Sequence, residues 1–111
     1  MHHKFAFLPF VLLLAACAQL GLAPASTLTE RLAYAYGTHT AVLQATTSSL
    51  DAGDIKSEDA ERILKIADQS RQALDAAKLA IGAGDTQTAE GRLQLATAIL
   101  IELQAYLRRK A

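Results

Sequence analysis

Residues 57–85 read SEDAERILKIADQSRQALDAAKLAIGAGD, and this stretch decides the fold. Ala60, Ile63, Ala67, Ser70, Leu74, Ala77 and Ile81 recur in unbroken steps of three and four. That spacing puts them on one face of an α-helix, with Leu64 and Ala73 widening the face on a flank. Ser57 is the expected N-cap, and Glu58, Asp59 and Glu61 suit the positive end of the helix dipole. Gly82-Ala83-Gly84-Asp85 ends the segment, with a glycine for the left-handed C′ position and Asp85 as the next N-cap.

Working outward, the residues after Asp85 carry Ala89, Leu93, Ala96, Leu100, Leu103 and Leu107 on a second face of the same kind. Arg108, Arg109 and Lys110 close that helix with charges that suit its negative end. On the other side, Thr27-Leu28-Thr29-Glu30 has the spacing of a capping box. The helix it opens shows a row of Leu32, Tyr36, His39, Leu43, Thr46 and Leu50 before Asp51-Ala52-Gly53-Asp54 breaks it. The expected helices therefore span about 27–50, 57–82 and 85–109. Short turns between long helices force antiparallel neighbours, so residues 27–111 are expected to form an all-α, up-down-up three-helix bundle. Leu79, Leu95, Ile99 and Ile101 fall off the main rows, more apolar side chains than one small interior can hide, and some should face a partner or a second copy.

Ser57–Ala67 also aligns with Thr86–Ala96 at an offset of 29, matching Ala60-Glu61 to Ala89-Glu90 and Leu64 to Leu93. The pattern slightly resembles tetratricopeptide hairpins, but those repeat near 34 residues in three or more copies. Two helices with the same capping pattern account for it.

The first residues carry a different message. His2, His3 and Lys4 precede an apolar run from Phe5 to Ala16, interrupted only by Pro9. About a dozen residues cannot span a hydrocarbon core of ~30 Å, but they match the apolar region of a secretory signal. Leu14-Ala15-Ala16-Cys17 then resembles the lipobox of bacterial lipoprotein precursors, with Leu at −3, small residues at −2 and −1, and Cys. The resemblance implies a signal peptide over 1–16, cleavage between Ala16 and Cys17, and acylation (palmitate among the chains) of the Cys17 thiol and new amino terminus. Ala18 stands where an acidic residue would resemble an inner-membrane retention signal, which implies an outer-membrane anchor facing the periplasm. Residues 17–26, small and uncharged with Gly21 and Pro24, then form a tether.

Composition narrows the function. The 111 residues carry 11 Lys and Arg against 11 Asp and Glu, so no cationic face for nucleic acid is expected. One cysteine forms no internal disulfide or zinc cluster, and an aromatic content of 5% without Trp offers no stacking platform. His39, the one histidine after the signal, lies in an apolar row and reads as a packing residue; a general base would need a nucleophile or orienting acid beside it. Tyr34, Tyr36 and Tyr106 read as amphipathic packing groups. Asp51, Asp54, Glu58, Asp59 and Glu61 read as caps and solvated charges, because their order fails a calcium-loop pattern. No catalytic, cofactor or metal residues are expected, and no small-molecule substrate.

Tyr106-Leu107-Arg108-Arg109-Lys110-Ala111 is similar to the tyrosine-and-basic end of the murein lipoprotein family, whose terminal Lys joins peptidoglycan. Here Ala111 follows Lys110 and two glycine turns interrupt the helix, so the basic segment suits ionic contact with anionic polymer or lipid instead. The sequence thus points to a non-enzymatic, lipid-anchored binding or assembly accessory of the cell envelope, similar in logic to small pilotin lipoproteins. A phage- or plasmid-borne lipoprotein acting in superinfection exclusion or lysis is the alternative.

Overall fold

A computed structural model describes residues 27–111; the expected signal peptide, lipobox and tether at 1–26 lie outside the described residues. The described chain forms three helices, α1 (Leu28–Asp51), α2 (Ser57–Gly82) and α3 (Thr86–Lys110). Two glycines set their arrangement. Gly53 has φ of 80° and Gly84 φ of 75°, the left-handed conformation that L side chains adopt only with strain. At the first turn Asp54 N–H donates to the Ser49 carbonyl and Gly53 N–H to that of Leu50. At the second, Asp85 N–H donates to Ala80 and Gly84 N–H to Ile81. Both turns are Schellman closures, which satisfy carbonyls at the helix ends and reverse the chain within a few residues.

The starts of the helices differ. Thr27 caps α1 as expected: its hydroxyl oxygen accepts from Glu30 N–H at 3.2 Å, and the hydroxyl donates to the Glu30 carboxylate at 2.5 Å. Asp85 caps α3 through its Oδ1, which accepts from Thr88 N–H at 3.2 Å. At α2 the expectation is off by one residue. Lys56 is the N-cap, with no side-chain hydrogen bond, and Ser57 is already helical. Ile55 accounts for the shift. It is buried in the turn against Val42, Ala60, Ile63 and their neighbours, and fixes the chain where the helix starts. Glu58 and Asp59 in the first turn still complement the dipole.

Cross-links between helices give the directions. Arg31 near the start of α1 bonds Glu90 near the start of α3, so these two run parallel. Tyr36 near the start of α1 bonds Asp75 near the end of α2, so these run antiparallel. The expected all-α, up-down-up three-helix bundle is what forms, each helix packing on the other two.

The core divides into two clusters. One, at the pole holding the α1–α2 turn, contains Val42, Ile55, Ala60, Ile63, Ala67, Leu100, Leu103 and Leu107. The other contains Leu32, Ala35, Ala73, Leu74, Ala77, Leu93 and Ala96. In α3 the buried set is the expected row of six. In α2 the row holds from Ala60 to Ala77, with Ala73 on its flank; Ile81 at its end is half-buried, Leu64 exposed, and Ala80 buried instead. In α1 the face is rotated. Leu32, His39 and Thr46 are buried as expected, but Ala35, Val42 and Ser49 complete the face in place of Tyr36, Leu43 and Leu50. A helix wedged against two others buries its smaller side chains at closest approach, and pushes Tyr36 and Leu43 to the margins of the core.

Candidate functional site

Three polar arrangements lie on or in the bundle. At the turn-α3 pole, Arg31 forms a two-pronged ion pair with both carboxylate oxygens of Glu90. Its Nε is buried without a hydrogen-bond partner, and both bonds to Glu90 come from Nη2. On the α1–α2 face, Tyr36 donates its phenolic proton to Asp75 at 2.5 Å, and Arg71 donates to the same carboxylate at 3.3 Å. The Arg71 guanidinium also sits 5.4 Å from the Tyr36 ring centre. Partial burial, and then the bond to Asp75, raise the Tyr36 hydroxyl above its ordinary pKa. The Tyr36 bond, aided by Arg71, lowers that of Asp75. These groups tie helices together.

The third arrangement is internal. His39 and Ser70 are buried at positions between the two core clusters along α1 and α2. Ser70 Oγ donates back to the Ala67 carbonyl at 2.6 Å, and Thr46 Oγ to Val42 at 2.7 Å, so both hydroxyls are spent within their own helices. His39 makes no hydrogen bond or ion pair to protein. Its place is that of a packing residue in the core, with no acid orienting it. The expected cap role of Asp85 is plain, its carboxyl lowered by the hydrogen bonds from Thr88. Asp51, Asp54, Glu58 and Glu61 are exposed. Among the described residues no three His, Cys, Asp or Glu side chains converge as a metal site, and no helix is long and apolar enough to cross a membrane.

Two depressions lie between helices at the surface. A groove of about 380 Å³ runs between α2 and α3, floored by Ile63, Ile66, Ile99, Leu103 and Tyr106. Its edges carry Asp59 and Arg62 from α2 and Glu102 and Arg109 from α3. Tyr106 lies beneath two cations, with Arg109 at 5.8 Å and Lys110 at 5.5 Å from its ring centre. A second depression of about 500 Å³ between the ends of α1 and α3 is lined by the small residues Ala41, Ala45 and Ser48 of α1 and by Ala52 just after it. Of the apolar residues expected off the main rows, Leu79, Leu95 and Ile101 are exposed, at 77%, 50% and 56%, and Ile99 is half-buried in the groove.

The groove is the feature that row-by-row reading missed. Its signal is a second three-four row on α3, running Arg92, Leu95, Ile99, Glu102, Tyr106 and Arg109 beside the buried one. Cys17 and the Ala16–Cys17 cleavage position lie outside the described residues. No protein family, curated protein or solved structure matches the chain.

Proposed function

We propose that this chain is a lipid-anchored helical module of the bacterial cell envelope, held to the periplasmic face of the outer membrane through Cys17. It works by binding protein rather than by catalysis, as an assembly accessory. The observation that carries the reading is the complete Leu14-Ala15-Ala16-Cys17 box after an apolar run too short to span a bilayer. Two or three acyl chains anchor stably, at about 0.8 kcal/mol for each buried CH₂.

The bundle supports the binding role. Asp85 serves as a cap and Tyr36 and Asp75 tie two helices, while a groove with an apolar floor and Leu79, Leu95 and Ile101 remain at the surface. Chemical cross-linking of intact envelopes, followed by purification of the anchored chain, tests this. Recovery of one defined partner, or of the chain linked to itself, is the expected result. A chain that forms no cross-link in its own membrane refutes it.

A further inference from the structure

We infer that the occupant of the α2–α3 groove is a second copy of this chain, in a parallel two-fold dimer. The inference deepens the proposed binding role by naming the partner.

The argument is one of charge order along the groove. Helices α2 and α3 run antiparallel, since Ala60 and Ile63 share a cluster with Leu103 and Leu107, and Ala77 shares one with Leu93. Starting from the pole that holds the α1–α2 turn, the α2 edge presents Asp59 and then Arg62. In the same direction the α3 edge presents Arg109 and then, seven residues away, Glu102. The two edges therefore carry opposite signs in the same order along the groove. A two-fold axis parallel to the helices, lying along the open side of the groove, sets the α2 edge of one copy beside the α3 edge of the other. It brings Asp59 next to Arg109 and sets Arg62 about one turn from Glu102, a span that their long side chains can bridge, twice over in each dimer. A self-complementary surface of this kind is what an isologous contact requires.

The remaining features agree with this occupant. Glu102 has no ion-pair or hydrogen-bond partner, although it borders an apolar floor. Arg62 is bound only to Asp59, one turn back on its own helix, at 3.6 Å. Between the edges, Ile66, Ile99 and Leu95 would meet their counterparts and complete a four-helix interior from α2 and α3 of both copies. After the proposed cleavage 10 basic and 11 acidic side chains remain, so two copies approach with little overall repulsion. The parallel arrangement also puts residue 27 of both copies at one pole, as anchoring both copies in a single membrane requires.

The test is sedimentation equilibrium of the full chain, extracted from membranes in non-ionic detergent, with single and paired charge reversals. Glu102→Arg and Arg62→Glu should each weaken dimerisation by about tenfold or more, while the double variant returns it to near the parent value. All are exposed positions, and thermal melts matching the parent confirm folding. A parent chain that stays monomeric at tens of micromolar overturns the inference, as does a pair of reversals whose effects simply add. The two readings fail separately. A monomer carrying acylated Cys17 refutes the dimer alone, and a dimer with an unmodified Cys17 refutes the anchor alone.

Discussion

Truncating Leu74 to alanine should come close to unfolding this bundle. Leu74 is fully buried, and it shares its cluster with Ala35, Ala73, Ala77 and Ala96 as well as Leu32 and Leu93. Leu→Ala changes in cores cost about 2–5 kcal/mol, in proportion to the cavity that remains after relaxation. Here relaxation is poor, because four of the six neighbours are alanines, which have no rotamer that could swing into the space. The cost therefore belongs in the upper half of that range, about 3–5 kcal/mol. A domain of this size holds roughly 5–10 kcal/mol in total, so the variant retains little or no margin. Leu79, five residues further along the same helix, is 77% exposed and is the matched control. Its change to alanine should stay within about 0.5 kcal/mol of the parent. Urea unfolding followed by circular dichroism measures both. If Leu74→Ala and Leu79→Ala shift the midpoint equally, the assignment of the α2 buried face is wrong.

Further outcomes follow from single features. Gly84→Ala should cost about 1 kcal/mol, because φ of 75° is unfavourable for any side chain, while Gly91→Ala in the α3 interior, where an added Cβ meets nothing within 4 Å, should stabilise by about 0.5–1 kcal/mol; thermal melts read both. The Tyr36–Asp75 bond should bound stability at both ends of the pH scale. Asp75 is lowered, so its contribution is present above the ordinary carboxylate value of about 4 and lost as pH falls further; Tyr36 is raised, so its contribution is present below about 10 and lost as pH rises through the higher folded value. Tyr36→Phe should flatten both limbs in a pH series of melts, and unchanged limbs would remove the bond from the account. His39→Leu should leave stability equal or slightly higher, since it puts an apolar side chain on the buried face in place of a ring that makes no hydrogen bond to protein; a collapse of the melt would mean that the histidine holds a bond or ligand in solution.

How far the residues alone disclosed this structure depended on how constrained each helix is. α3 was fully legible, because its Leu and Ala positions form a single sharp row and the burial follows it residue for residue. α2 was legible along its length but not at its start, where burial of Ile55 placed the cap at Lys56 in spite of the better capping residue beside it. α1 misled by one residue on alternate turns. Its large residues Tyr36, Leu43 and Leu50 suggested one face, and close packing between two helices selected the neighbouring face of Ala35, Val42 and Ser49. Size decides the edge of a core less than distance of approach does. The α2–α3 groove was half visible: Leu95 and Ile99 stood out as surplus, but their alignment with Glu102 and Tyr106 needed the second helix to give it an edge. Interhelical ties such as Arg31–Glu90 join residues 59 apart and leave no local signal in the chain.

The anchor remains the central claim, and intact-mass spectrometry of the chain extracted from membranes tests it most directly. The account predicts a polypeptide that begins at Cys17, heavier than its sequence by a diacylglycerol thioether and an amino-terminal acyl chain, with Cys17→Ser leaving an unmodified precursor. A soluble chain that begins at Met1 and carries a free Cys17 thiol would contradict it.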